Sequence, residues 1–230
     1  MKKKIVVLTG AGISAESGLR TFRDADGLWE GHDVMEVASP GGFRNNPELV
    51  LDFYNQRRRQ LLKVRPNEAH LSLAELEEFY EVAIITQNVD DLHERAGSSR
   101  VVHLHGELLK ARSTQDNNLI LDWKTDIHLG DRCEKGSQLR PHIVWFGEEV
   151  PLMDQAIRIT KNADILIIIG TSMQVYPAAG LVHYISNKTP IYFVDPRPNI
   201  AAGDFKNLTI ISQNAVSGVP VLARELMERI

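Results

Sequence analysis

Ile5-Val6-Val7-Leu8-Thr9-Gly10-Ala11-Gly12-Ile13-Ser14-Ala15 is the stretch on which the fold turns. An unbroken apolar run predicts an inner strand covered on both faces. Small residues follow in the spacing Gly-x-Gly-x-x-Ala. Gly10 and Gly12 let the backbone turn tightly and approach an anion, Ala15 is small enough for close packing, and the next N–H groups can point at phosphate oxygens. Alone this pattern is a weak sign of a pyrophosphate site. It gains weight from Arg20-Thr21-Phe22-Arg23-Asp24, because a plain dinucleotide-binding helix would continue here with an apolar stripe.

Working outward, Val82–Thr86, Asp164–Ile169 and Ile191–Val194 also read as inner parallel strands, with Val101–Leu104 and Leu208–Ile211 as further candidates. Helical patterns lie between them: Asn67 caps a helix through Tyr80, Asp154–Asn162 is a second, and Val216–Ile230 a third. This alternation predicts an α/β fold with a doubly wound, Rossmann-like parallel sheet. Two segments break the rhythm, a helical insertion at 31–66 containing a helix from Pro47 to Leu62, and a polar stretch at 107–139. We expect a nucleotide-binding domain formed by 1–30, 67–106 and 140–230. The two insertions would make a small second lobe, with the site in the cleft between.

The 230 residues suit one sizeable domain with an insertion, and a formal charge of −4 argues against a nucleic-acid binder. The apolar run after Met1-Lys2-Lys3-Lys4 is too short for a signal segment or a membrane span. Cys133 is the only cysteine, so no intrachain disulfide can form. A cytoplasmic monomer, off the membrane, is expected.

Thr86-Gln87-Asn88-Val89-Asp90-Asp91 falls where a strand gives way to a helix, the edge at which such sheets bind ligands. Asn88 and Asp90 there read either as helix N-caps or as ligand contacts. A dehydrogenase would place an acidic residue at this strand end to hold a ribose; Thr86 and Gln87 count against hydride transfer. His103 and His105 alternate along a short strand and so share a face. Gly106 suggests a turn exposing His105, the better candidate base, while His103 is expected to make a buried hydrogen bond.

Gly-Ala-Gly-Ile-Ser, Thr21-Phe22-Arg23-Asp24, Gln87-Asn88-Val89-Asp90, His105-Gly106-Glu107, Val144-Trp145-Phe146-Gly147-Glu148 and Gly170-Thr171-Ser172, in this order, resemble a sirtuin over nearly the whole chain. The resemblance implies NAD-dependent removal of acyl groups from protein lysines, giving nicotinamide and O-acyl-ADP-ribose. It implies that Gly10, Ala11, Gly12, Ile13, Ser14, Ala15, Thr21, Phe22 and Arg23 cradle and cover the cofactor, with Trp29 nearby. Gln87, Asn88, Val89 and Asp90 would surround nicotinamide and its ribose, Asn88 and Asp90 sharing the catalytic work with His105 as base. Gly170, Thr171, Ser172 and Ala215 would contact the adenosine side; Val194-Asp195 departs from the Asn-containing run the family often has there, and Asp195, at a strand end, is expected to accept from the adenosine ribose hydroxyls as acidic residues do in dinucleotide folds. Val144, Trp145, Phe146 and Gly147 resemble a strand that pairs with an extended acyl-lysine protein or peptide.

Tyr54 and Arg57, three apart on the predicted helix, share a face. They read either as part of a solvated helix end or as a phenol and guanidinium fork for a carboxylate. The resemblance favours the second, since Tyr-x-x-Arg is similar to the acyl-pocket motif of the branch that removes succinyl and malonyl groups. Arg58 and Arg59 are expected to face solvent or pack their stems on the lobe. Ser113 stands where many sirtuins have the first of four zinc-binding cysteines. One thiol cannot complete a tetrahedral site, so no zinc is expected; Leu119, Ile120, Leu121 and Trp123 would hold the lobe instead. An ADP-ribosyltransferase or a non-catalytic NAD-sensing module on the same scaffold are the alternatives.

Overall fold

The computed structural model describes residues 2–20, 28–29, 31–199 and 205–230. Thr21, Phe22 and Arg23, expected over the cofactor, lie outside the described residues. In chain order the elements begin with β1 (Lys4–Thr9), two 3-10 turns (Ala11–Ile13 and Ala15–Ser17), β2 (Leu28–Trp29), β3 (His32–Asp33), α1 (Val34–Val37), α2 (Pro40–Asn45) and α3 (Pro47–Leu61). They continue with α4 (Glu68–Glu75), β4 (Glu81–Thr86), α5 (Leu92–Ala96), β5 (Val101–His103), β6 (Gly106–Ser113), β7 (Ile120–Asp122) and β8 (Leu139–Ile143). The chain closes with α6 (Met153–Thr160), β9 (Ile165–Ile169), a 3-10 segment (Ala178–Tyr184), β10 (Ile191–Val194), β11 (Leu208–Ile211) and α7 (Ala215–Met227).

Six parallel strands form the main sheet in the order β11-β10-β9-β1-β4-β5. Reading out from β1, the chain adds strands first on one side and then on the other, the doubly wound arrangement with its switch point between β1 and β9. Alternate residues of the strands feed two cores. Ile5, Val7, Ile84 and Ile167 pack under α4 and α7, while Val6, Leu8, Ile85 and Ile168 pack under α6 and the 3-10 segment. Covering on both faces is why these strands read as continuous apolar runs.

Asn67 caps the helix that follows it, as expected. Asn67 Oδ1 accepts from Ala69 N (3.0 Å), and Asn67 Nδ2 reaches the Ile13 carbonyl (2.8 Å), tying the α4 N-terminus to the glycine-rich turn. Asn46 caps α3 through Leu49 N (3.1 Å), with Pro47 opening the helix.

A separate three-stranded antiparallel sheet, β7-β6-β8, packs with α1, α2 and α3. Here two expectations are corrected. Leu119 and Trp123 pack against the cluster around Leu51 and Ile127, but Ile120 and Leu121 are exposed, because β7 is a short edge strand with no layer over it. Arg58 is fully buried rather than solvent-facing: its Nε donates to the Leu108 carbonyl (3.0 Å) and its Nη1 to Asn55 Oδ1 (2.7 Å). Of the two, Arg59, the next residue round the helix, is the one at the surface, paired with Asp126.

Candidate active site

The turn after β1 is shaped by backbone meeting backbone. Gly12 N–H donates to the Gly170 carbonyl (2.8 Å), and a Cβ on Gly12 would stand 2.5 Å from Gly170 Cα. A Cβ on Gly10 would stand 2.8 Å from that same carbonyl oxygen. These glycines therefore serve first to let the loops after β1 and β9 interlock at the switch point, where the sequence alone suggested approach to an anion. Two 3-10 turns follow in place of a long helix.

A cleft of about 300 Å³ opens beside this junction, at the C-terminal ends of the central strands. Gly10, Ala11, Gly12 and Ser14 line one side; Gln87, Asn88, Val89, Asp90 and His105 come from the ends of β4 and β5, and Gly170 with Thr171 from the end of β9. Tyr54 and Arg57 reach it from α3, and Val144, Trp145, Phe146 and Gly147 close it beyond β8. Trp29 also lines it, but stands with the aromatic group of α3, its ring 4.9 Å from Phe53 and 6.1 Å from Tyr54.

Other expected cofactor residues stand outside this lining. Ile13 is fully buried beneath the turn and Ala15 sits in the second 3-10 turn. Ser172 follows Thr171, and its carbonyl accepts from Asn199. Val194 and buried Asp195 end β10, Asp195 accepting from Arg197 N (2.8 Å). Ala215 opens α7, where Glu16 accepts from Asn214 Nδ2 (3.1 Å) and Val216 N (3.3 Å).

Hydrogen bonds give the polar residues distinct states. Ser14 Oγ donates to Asp90 Oδ2 (3.0 Å) and accepts from Asn88 Nδ2 (3.2 Å), joining the two loops across the cleft floor. Burial pushes the Asp90 carboxyl up to about 6, against the Leu92 N–H and Ser14 hydroxyl bonds that favour its charge. Successive carbonyls hold the two imidazoles, that of Gln87 taking His105 Nδ1 (3.1 Å) and that of Asn88 taking His103 Nδ1 (3.1 Å).

A carbonyl only accepts, so Nδ1 of His105 carries the proton and Nε2 is the basic atom. Burial lowers the His105 pKa, keeping that ring neutral, with the Gln87 contact pulling the other way. His103 differs because its Nε2 also meets a carboxylate, Glu94, at 2.7 Å. Burial works against its charge, yet these acceptors prevail and its pKa is raised. Gly106, the first residue of β6 after the histidine turn, has φ +84, and a Cβ there would stand 2.1 Å from the His142 carbonyl oxygen. This is the local reason the turn can expose His105.

The strand expected over Val144–Gly147 ends at Ile143. Beyond it the backbone N–H groups are already engaged: Val144 N to the His105 carbonyl (2.9 Å), Trp145 N to Glu148 Oε2 (2.8 Å) and Phe146 N to the Ala38 carbonyl (3.0 Å). Glu148 organises this corner. It accepts from Arg112 Nη2 (3.0 Å) and Arg140 Nη1 (2.6 Å), both arginines buried, and Arg140 lies 3.3 Å from the Trp145 ring centroid. Sequence reasoning passed over Arg112 and Arg140, whose only signal is their direct pairing across β6 and β8.

Arg57 Nη1 donates to the Phe53 carbonyl (2.6 Å) with its guanidinium 3.4 Å from the Phe53 ring centroid, which holds the fork at the pocket wall.

Ser113 Oγ and Ser137 Oγ are 2.6 Å apart, and Cys133 Sγ is 3.0 Å from Ser137 Oγ. One thiol and two neutral hydroxyls do not fit a structural zinc. Among the described residues no group of three or more His, Cys, Asp or Glu is placed to hold a metal, and no helix is long and apolar enough to cross a membrane.

A crevice at the switch point of a doubly wound sheet, flanked by a glycine junction and an amide–carboxylate row, defines a dinucleotide-binding protein of the Rossmann type. The Sir2 family profile matches residues 10–177, and the chain belongs to that family. An NAD-dependent protein deacylase of Helicobacter pylori is 60% identical over 226 residues, 98% of each chain. Another, of Bacteroides thetaiotaomicron, is 50% identical over 231 residues, again 98% of each. Among solved structures, a Sir2 homolog–NAD complex superposes with a TM-score of 0.89 at 39% identity, over 99% of this chain and 91% of that one. A Sir2 mutant with a p53 peptide and NAD gives 0.76 at 30% identity, over 99% and 93%.

Proposed function

We propose that this NAD-dependent protein deacylase removes acidic acyl groups, succinyl and malonyl, as well as acetyl, from lysines of extended protein segments. The observation that carries the proposal is the meeting of Tyr54 and Arg57 with His105, Asn88 and Asp90 in one cleft. Arg57 presents a cation and Tyr54 a phenol in a lining that also includes Trp29, Leu61, Leu108 and Ile143. A carboxylate at the end of an acyl chain offers acceptor oxygens to both, which the methyl of an acetyl group lacks.

The residues at the switch point fit NAD: Ala11, Gly12 and Ser14 would hold its pyrophosphate end, and Gln87, Asn88 and Asp90 its nicotinamide end. When bound, NAD supplies an electrophilic ribose carbon and a neutral leaving group. His105 then takes a proton at Nε2, the atom its Gln87 contact leaves basic. Asn88 and Asp90, held by Ser14, orient the neighbouring polar groups and keep the floor of the cleft rigid. An extended substrate would lie along Val144–Gly147, where the N–H groups of Val144, Trp145 and Phe146 are engaged within the protein, so that it would meet carbonyls of this segment instead.

The test is steady-state kinetics on one peptide sequence carrying succinyl, malonyl or acetyl lysine, with products identified by mass spectrometry. Arg57→Met should lower kcat/KM for succinyl by about tenfold or more relative to acetyl, since a hydrogen bond to a charged group is worth roughly 1.5–3 kcal/mol. Equal losses on all three peptides would remove the carboxylate-reading role. ADP-ribosylated protein as the main product would replace deacylation with group transfer to protein.

A further inference from the structure

Tyr54 makes a single hydrogen bond among the described residues, and its partner decides what the phenol can offer. Trp145 Nε1 lies 3.0 Å from Tyr54 Oη, with both side chains buried. An indole nitrogen only donates, so the phenol oxygen is the acceptor in this bond and its own proton must point elsewhere. Tyr54, itself fully buried, is one of the residues that form the cleft wall. Burial also pushes the Tyr54 pKa upward, so the hydroxyl remains a donor throughout the working range.

Trp145 is itself fixed from three sides. Its backbone N–H donates to Glu148, its ring is covered by the Arg140 guanidinium at 3.3 Å, and Phe43 packs on it at 5.3 Å between ring centroids. Arg140 is held by Glu148 through two nitrogens (2.6 and 3.1 Å), and it donates to the Ile143 carbonyl (2.8 Å).

We propose that Trp145 is a positioning residue for acyl selectivity: its indole N–H occupies the acceptor side of Tyr54, so that the phenol presents its proton to a carboxylate entering the cleft. The role rests on the acidic-acyl reading above. Accepting a hydrogen bond also polarises the phenol and makes it a better donor. A neutral acetyl methyl gains nothing from this arrangement, so the effect belongs to the ratio between acyl groups.

The experiment measures kcat/KM and KM for succinyl and acetyl peptides in Tyr54→Phe, Trp145→Phe and the double variant. A fourth protein carries 3-benzothienylalanine at position 145, which keeps the fused rings and lacks the N–H. Loss of the indole donor should lower the succinyl-to-acetyl ratio by about three- to tenfold, mainly through the succinyl KM, as expected for one hydrogen bond. In the double variant Tyr54→Phe should then have a smaller effect than in wild type, because the two act as one unit. Should Trp145→Phe fold poorly, the benzothienyl protein decides. A ratio within twofold of wild type in that protein, with Tyr54→Phe still shifting it, would overturn the role of Trp145 alone. If neither Tyr54→Phe nor Arg57→Met shifts the ratio, the acidic-acyl reading itself falls and this role with it.

Discussion

Gly12→Ala tests whether the crevice owes its shape to interlocked loops. The added Cβ would lie 2.5 Å from Gly170 Cα, 2.8 Å from its carbonyl oxygen and 2.9 Å from its carbonyl carbon, all backbone atoms that no rotamer change can move aside. Forcing an extra methyl into packed structure costs about 1–3 kcal/mol. Separating the loops also breaks the Gly12 N–H bond to Gly170, adding about 0.5–1.5 kcal/mol. Together they predict a loss of roughly 2–4 kcal/mol, or a Tm lower by roughly 5–15 °C for a chain of this size. Gly41→Ala is the internal control: its Cβ meets only Ser39 Oγ at 3.6 Å and Arg44 Nη2 at 4.0 Å within α2. A helical alanine there should be neutral or add up to about 1 kcal/mol. Thermal melting followed by circular dichroism, with NAD titrated by calorimetry, reads both effects. Equal melting temperatures for the two variants would refute the interlock, and unaltered NAD affinity in a destabilised Gly12→Ala would detach it from the cofactor site.

The other predictions concern charge and burial. Activity requires a neutral His105, whose pKa burial lowers, and an ionised Asp90, so kcat/KM should fall as pH drops through about 6, where Asp90 takes its proton; the residual activity of Asp90→Asn should lack that Asp90 limb, and a midpoint above 7 in the wild type would contradict this. Arg58→Met strands the Leu108 carbonyl and should destabilise by about 1–3 kcal/mol, whereas exposed Arg59→Met should change stability by less than about 0.5 kcal/mol in the same chemical-denaturation assay. Glu148→Gln leaves Arg112 and Arg140 facing each other without a counter-ion and should remove about 3 kcal/mol, seen as a lower urea midpoint. Protein purified without chelator should contain no stoichiometric zinc by elemental analysis, and EDTA should leave its Tm unmoved; bound zinc would overturn the reading of Ser113, Cys133 and Ser137.

The amino-acid order by itself determined the doubly wound sheet and the ends at which its ligand-facing loops fall. Each inner strand is buried on both faces, so a run such as Ile5–Leu8 or Ile191–Val194 marks itself without reference to its neighbours. Caps such as Asn46 and Asn67 act within a few residues and are equally local. The motif residues Ser14, Asn88, Asp90 and His105 could be named from their order, but their chemical states could not. That Nε2 of His105 is the basic atom follows from the Gln87 carbonyl, and that the His103 pKa is raised follows from Glu94, contacts made only after the chain has folded back. Tertiary structure alone decided that Arg58 is buried while Arg59 is exposed, because helical periodicity locates a face without saying which carbonyl waits behind it. It alone paired Arg112 with Arg140 across two strands, a like-charge contact that is unfavourable until the Glu148 carboxylate closes on both. Local pattern is written in short-range sterics and hydrophobic period; protonation, hydrogen-bond direction and charge pairing depend on atoms brought together from distant parts of the chain.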